Sequence, residues 1–250
     1  MVPASVSVVI PVKDDAEMLA RCLDALAGQS LAAFEIIVVD DGSTDSSAEV
    51  ARSRGATVVP SLGSGIPAAS ATGYDTATGL LLARLDADCV PDADWLERIE
   101  HRFATEPEVE AITGGARFHD GPRALRRIGP ALYLGAYLLA TAPALGHAPL
   151  FGSNLALRRT TWLAVRGRVH RDDELVHDDL DLAFHVGPVR RILIDRDLGM
   201  TMSSRPFFEG RAVFTRLRRG VHSVVVHWPH DLPPRRWIRR LRGERSTLES

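Results

Sequence analysis

Asp86 and Asp88 stand two residues apart at the end of an apolar run, Gly79-Leu80-Leu81-Leu82-Ala83, with Asp92 and Asp94 close behind. In an extended segment, positions i and i+2 point to the same side, so both carboxylates face one point. Like charges so placed repel and resist desolvation, and something positive must balance them. Two convergent carboxylates suit a hard divalent cation, Mg²⁺ or Mn²⁺, which takes oxygen ligands and bridges phosphates. A diphosphate is the expected companion. Two other acidic or turn-rich stretches, Pro11 to Asp15 and Asp40 to Asp45, end apolar runs in the same way, although Ser43 to Asp45 reads equally as a helix cap.

Carboxylates gather like this where they leave the carboxyl ends of parallel strands, the place where ligands collect and helix N-termini point outward. Residues 6–12 and 34–39 are continuous apolar runs suited to strands covered on both faces. Between them Leu19, Cys22, Leu23 and Leu26 fall at helical spacing, which gives β-α-β. A helix over 48–54, a strand over 56–60, a helix over 68–78 and a strand over 80–85 continue the alternation, which argues for a parallel α/β sheet. A helix through Trp95, Ile99 and Phe103 follows, then a strand over 110–118 broken by Gly114-Gly115. There the alternation stops. The second half holds residues 150–157, a helix near 161–165, an acidic stretch over 172–181 and a strand over 191–194.

At 250 residues, 45% hydrophobic and 25% charged, the chain has length for one generous core. Its formal net charge of −2 excludes a strongly basic nucleic-acid binder. The balance is uneven, because eleven arginines between Arg205 and Arg245 face only Glu209, Asp231 and Glu244 and make a cationic tail. Cys22 and Cys89 are too few for a disulfide framework or a thiolate metal site, and fit a reduced cytoplasmic compartment. The first ten residues lack the features of a signal peptide and read as a first strand. Residues 130–146 are apolar but shorter than the roughly 20 residues a bilayer requires. They either form a buried helix or lie on a membrane surface.

In these elements the chain resembles the family-2 glycosyltransferases of GT-A fold. The likeness runs through Val8-Val-Ile-Pro-Val-Lys-Asp-Asp-Ala-Glu17, Ile36-Ile-Val-Val-Asp-Asp-Gly-Ser-Thr-Asp45, Leu85-Asp-Ala-Asp88, Phe151-Gly-Ser-Asn154 and His177-Asp-Asp-Leu-Asp-Leu182. It implies a Rossmann-like, mostly parallel central sheet flanked by helices, with an acceptor-side C-terminal half. On that pattern residues 1–118 form the nucleotide-sugar-binding half, residues 119–205 the acceptor-binding and base-carrying half of the same domain, and residues 206–250 an Arg-rich extension. The resemblance implies that Pro11, Val12, Asp40, Asp41 and Asp86 hold a nucleotide-sugar. It implies that Asp88 is the principal ligand to the metal, with Asp86 beside it. It places the base at Asp179, with Asp178 where the family has glutamate, and Gly152, Asn154 and Asp178 at the acceptor. A carboxylate within roughly 2.6 to 3.2 Å of an acceptor hydroxyl can take its proton as attack proceeds. Direct displacement would invert the anomeric carbon, with the metal acting as a Lewis acid on the departing diphosphate.

Each residue also has a plainer reading: Asp178 or Asp179 as a helix cap, Gly152 to Asn154 as an ordinary turn, and His222 or His227 as packed or solvated rather than as the late histidine that some such enzymes give to the metal. Two departures stand out. Where the family carries Ala-Arg-Asn-x-Gly, this chain has Ala69-Ser-Ala-Thr-Gly73, and the glutamine-arginine-tryptophan motif of processive synthases is absent. Transfer of a single sugar is therefore expected. Ser204-Arg205 lies where the family sometimes places an anion-contacting arginine. The cationic end and apolar Leu132 to Leu139 suggest a lipid-linked acceptor, or peripheral contact with an anionic cytoplasmic membrane face. The competing readings are a non-catalytic nucleotide-sugar-binding scaffold and a sugar nucleotidyltransferase, although Pro11 to Asp15 lacks the glycine-rich phosphate loop of the latter.

Overall fold

The computed structural model describes residues 5–118, 125–188, 190–203 and 210–242. Its centre is strand β1 (Val6–Val12), buried along its whole length. Val6, Val8, Ile10 and Val12 project into one core and Val9 into the other, the period-2 division of a strand covered on both sides. β1 pairs in parallel with β2 (Glu35–Asp40) and β4 (Leu81–Arg84), and β2 pairs in parallel with β3 (Thr57–Pro60) at the edge. β8 (Leu155–Arg158) runs antiparallel between β4 and β6 (Val109–Gly114), and β6 pairs in parallel with β9 (Arg191–Asp195). The seven-stranded order is β3-β2-β1-β4-β8-β6-β9.

The chain steps outward from β1 through β2 to β3, then returns across β1 to β4. The loops after β1 and β4 therefore part in opposite directions and leave a crevice at the strands' carboxyl ends, the switch point where such sheets bind ligands. Because β8 lies between β4 and β6, one sheet continues across residue 118.

On one face lie α1 (Ala16–Ala27), α2 (Ser47–Ser53) and α4 (Trp95–Thr105). α1 buries Leu19, Cys22, Leu23 and Leu26, as their spacing predicts. On the other face lie α3 (Gly65–Thr76), α6 (Arg159–Val165) and α7 (Asp178–Val186). α3 begins earlier than expected from sequence and is buried along residues 67–74. Its Gly73 lies directly on β1, where any Cβ would overlap Val9 Cγ1. A small sheet of β5 (Val90–Pro91), β10 (Met200–Met202) and β7 (Arg117–Phe118) closes one end. Strands of two or three residues carry too little pattern to be read from sequence.

The Arg-rich extension is structured. Its described part folds into α8 (Gly210–Val225) and α9 (Pro233–Arg242), and α9 packs on α5 (Leu125–Leu145). Arg236 is only 1% exposed. Its guanidinium donates to the Leu145 carbonyl at 2.6 Å, the Phe184 carbonyl at 3.0 Å and His147 Nε2 at 3.1 Å, which offsets the cost of burying the charge. Trp237 Nε1 donates to the Pro143 carbonyl at 2.9 Å. α5 is not fully buried either, since Leu132 and Leu139 project into solvent. Among the described residues no helix is long and apolar enough to cross a membrane. Ser204-Arg205 lies outside the described residues.

Candidate active site

β4 ends in an arginine within an apolar run, and this residue organises the site. Arg84 is 3% exposed. Its Nη2 donates to Asp86 Oδ1 at 2.7 Å and its Nη1 lies 3.5 Å from Asp178 Oδ2. The positive charge that the paired aspartates require is thus supplied in part by the chain itself, two residues upstream on the same side of the strand. Sequence reasoning passed over Arg84, although its spacing from Asp86 was a signal. Asp86 Oδ2 also accepts from Ser153 Oγ at 2.5 Å.

Asp178 and Asp179 open α7, where the positive end of the helix favours carboxylates. His177, not either aspartate, takes the N-cap position, without a side-chain capping bond. Asp178 Oδ2 accepts from Ser70 Oγ at 2.8 Å, so the serine of the altered Ala69-Ser70-Ala71 segment is engaged with the acidic pair. Asp179 Oδ2 accepts from the Gly152 amide at 2.8 Å and Oδ1 from the Leu180 amide at 2.7 Å. Burial, then the neighbouring Asp178 charge, pushes the Asp179 carboxyl above its usual range.

The turn at residues 151–154 joins these groups. A Cβ on Gly152 would overlap Arg84 Nη1 and crowd Asp179 Oδ2, so only glycine lets the backbone approach both. Asn154 corrects the expectation of acceptor contact. It is fully buried and engaged with protein groups, accepting from Trp95 Nε1 at 2.9 Å and donating to the Gly115 and Leu198 carbonyls at 2.9 Å each. Its amide fixes the turn.

At the switch point lies a cleft enclosing about 600 Å³ of space open to solvent. Pro11, Val12, Asp41, Asp86 and Asp88 line it, five of the residues expected there, together with Lys13, which sequence reasoning gave no role. Lys13 Nζ stands 3.7 Å from Asp41 Oδ2, and the Gly65 amide donates to that oxygen at 3.1 Å. Asp40 is set back from the lining and accepts from the Ser43 amide at 2.9 Å, shaping the loop. Asp45 precedes Ser46, the N-cap of α2, and accepts from the Ser47 amide and from the first amide of α1, Ala16, both at 2.9 Å.

Ligand atoms of Asp86, Asp88 and Cys89 lie within 4.8 Å of one another. Burial, and then the two carboxylates, push the Cys89 thiol well above its usual range, so it stays protonated. The donors left are carboxylate oxygens, which fit a hard divalent cation. His222 is corrected: its Nε2 pairs with Asp173 Oδ2 at 2.7 Å and it belongs to no group of ligand atoms around Asp88. His227 is buried elsewhere, beside Asp181.

This fold recurs in solved sugar-transferring enzymes. A mannosyltransferase from Pyrobaculum calidifontis, described in complex with GDP-Man and Mn²⁺, superposes with a TM-score of 0.67 at 21% identity, over 97% of this chain and 69% of that one. Glucosyl-3-phosphoglycerate synthase from Mycobacterium tuberculosis, with Mn²⁺ and UDP-Glc, gives 0.64 at 19% identity, over 89% and 78%. The fold is GT-A, a glycosyltransferase fold.

The sequence carries the relationship further. The profile of Glycosyl transferase family 2 matches residues 7–162, more than half the chain, and the chain belongs to that family. The glycosyltransferase AglE of Haloferax volcanii is 39% identical over 101 residues, 37% of this chain and 33% of that protein. A PGL/p-HBAD biosynthesis glycosyltransferase of Mycobacterium tuberculosis is 34% identical over 120 residues, 44% of this chain and 45% of that protein. The chain thus matches less than half the length of either relative.

Proposed function

We propose that the protein moves a single sugar from a nucleoside-diphosphate sugar to an acceptor hydroxyl, with inversion at the anomeric carbon. What supports this is the buried Arg84 guanidinium, which holds Asp86 of the cleft and Asp178, next to Asp179, against one another. Donor cleft and base are thereby neighbours across one ion-paired wall. Pro11, Val12, Asp41 and Lys13 line the space for the nucleotide, and Asp40 supports the loop that carries Asp41. Asp88 and Asp86 would hold Mg²⁺ or Mn²⁺, whose bound charge stabilises the leaving diphosphate. The solved neighbours described with GDP-Man, UDP-Glc and Mn²⁺ agree with such a donor.

The acceptor hydroxyl enters beside Asp179, next to the turn whose Gly152 amide holds that carboxylate. Asp179 takes its proton as the hydroxyl oxygen attacks the anomeric carbon, and the nucleoside diphosphate departs with the electrons of the breaking bond. A carboxylate of raised proton affinity suits that task. Gly152 and Ser153 position the two acidic groups. The acceptor is lipid-linked in this reading, because α5 exposes Leu139 and α9 exposes Trp237 and Leu241 among its arginines.

Release of nucleoside diphosphate from uridine-, guanosine- and thymidine-diphosphate sugars, with Mn²⁺ and hydroxyl acceptors, tests the proposal. Asp179→Asn should lose about 10²- to 10⁴-fold in rate while keeping the thermal shift given by nucleoside diphosphate. Asp88→Asn should lose both. If the wild-type protein releases diphosphate from no donor, the transferase reading fails and the scaffold reading replaces it; normal turnover by Asp179→Asn removes Asp179 as the base.

A further inference from the structure

A second cluster of ligand atoms lies apart from the cleft. His170, Asp181, His185 and His227 each present one such atom, all within 4.8 Å of one another. Asp181 and His185 are one turn apart on α7, His170 precedes that helix, and His227 follows α8. One oxygen receives all three rings: Asp181 Oδ1 lies 2.7 Å from His170 Nδ1, 3.1 Å from His227 Nε2 and 3.4 Å from His185 Nε2.

A single carboxylate oxygen cannot satisfy three ring nitrogens. His227 Nε2 and His185 Nε2 are buried and make no hydrogen bond. At His227 the conflict is sharper, because Nδ1 lies 2.8 Å from the Ser223 carbonyl, which can only accept. The ring proton therefore sits on Nδ1, and in the neutral ring the bare Nε2 lone pair faces a carboxylate oxygen. Two acceptors confront each other in a site where the His227 side chain is 2% exposed. A second ring proton or a metal cation between them removes the conflict, and a backbone carbonyl holding the remote ring nitrogen is the usual support of a metal-bound histidine. The ring is further fixed by stacking on Phe184 at 4.0 Å.

We propose that His170, Asp181, His185 and His227 bind one transition-metal ion, Zn²⁺ by its donor set, and that this ion fastens the C-terminal helices to α7. Three imidazoles and one carboxylate form a four-coordinate set suited to Zn²⁺ or Co²⁺ and unsuited to Mg²⁺. Tetrahedral bonds of about 2.0 to 2.1 Å place ligand atoms roughly 3.3 Å apart, close to the 3.1 and 3.4 Å that separate Asp181 Oδ1 from His227 and His185, while the 2.7 Å to His170 is a direct hydrogen bond that would have to open. All four ligands lie beyond residue 162, where the family match ends. It would hold α7, and with it Asp179, to residues that follow α8. The inference does not depend on the transferase reading.

Tag-free protein purified without chelator, passed through metal-free buffer and analysed by elemental mass spectrometry, should carry about one equivalent of zinc per chain. After chelator treatment, Zn²⁺ alone should raise the melting temperature and Mg²⁺ should not. Co²⁺ loading of the stripped wild type should give the intense visible bands of a tetrahedral ion. His227→Gln should lose the bound zinc, and Asp88→Asn should keep it. Less than about a tenth of an equivalent together with no thermal response to Zn²⁺ or Co²⁺ overturns the proposal. So does zinc that disappears in Asp88→Asn yet persists in His227→Gln. If His227→Gln fails to fold, the wild-type zinc content and cobalt spectrum decide alone.

Discussion

The Gly152 amide donates to Asp179 Oδ2 at 2.8 Å from a position where a Cβ would overlap the Arg84 guanidinium. The backbone of one residue is thus held against both the proposed base and the cation that joins the two acidic groups. Gly152→Ala should displace Arg84 or Asp179 by an ångström or more. A misplacement of that size costs about 10²-fold in rate. Steady-state diphosphate release should show that loss in kcat/KM, with far-UV circular dichroism unchanged.

Arg84 is buried with two carboxylates on its guanidinium. Removing one partner of such a pair leaves uncompensated charge, at a cost of about 3 to 5 kcal/mol. Arg84→Met should therefore lower stability in urea titration by that order. Because Asp86 and Asp178 then lack their shared countercharge, added Mn²⁺ should restore part of the loss in this variant and much less in wild type. An equal effect of Mn²⁺ on both proteins would separate Arg84 from the cation site.

His147 gives a pH dependence. Burial, assisted by the charges of Arg236 and Arg240, lowers its pKa to about 4. The hydrogen bonds agree, for Nδ1 donates to the Ala148 carbonyl at 2.8 Å and Nε2 accepts from Arg236 at 3.1 Å, which requires the neutral ring. An unfolded histidine titrates near 6.5, so below that pH the unfolded chain gains a proton that the folded chain refuses. His147 should cost nothing at pH 7 and progressively destabilise the fold from about pH 6.5 to about pH 4, by roughly 3 kcal/mol in full. Urea titrations at pH 7 and pH 4.5 should show a smaller fall in stability for His147→Gln than for wild type.

The alternating half of the chain was legible because each element buries a face that its residue spacing announces. β1 reads as an unbroken apolar run, α1 as Leu19, Cys22, Leu23 and Leu26. The cleft followed from those elements, since turn residues and aspartates end the strands on either side of the switch point. What stayed hidden was long-range. Asn154 reads as a turn residue and is a buried bracket, because its partners Trp95 and Leu198 lie 59 and 44 residues away. Arg84 reads as an interruption in an apolar run, because Asp178, far along the chain, is what makes its burial tolerable. Arg236 likewise reads as one arginine among many, and only the carbonyls of Leu145 and Phe184 set it apart.

Exposed apolar residues of α5 and α9 carry the last prediction. Leu139 of α5 is 78% exposed and Leu241 of α9 82% exposed, and α9 also presents Trp237 with Arg240 over its ring at 5.5 Å. Aromatic and leucine side chains next to arginines fit the boundary of an anionic membrane, where each leucine buried contributes about 1.5 to 3 kcal/mol and each nearby arginine about 1 kcal/mol. The protein should float with phosphatidylglycerol vesicles at low salt and weaken its hold as salt screens the arginines. Leu139→Glu with Leu241→Glu should abolish flotation while leaving turnover of a water-soluble acceptor unchanged, because neither residue lines the cleft. Absence of flotation by the wild-type protein at low salt would remove the membrane surface, and with it the ground for a lipid-linked acceptor.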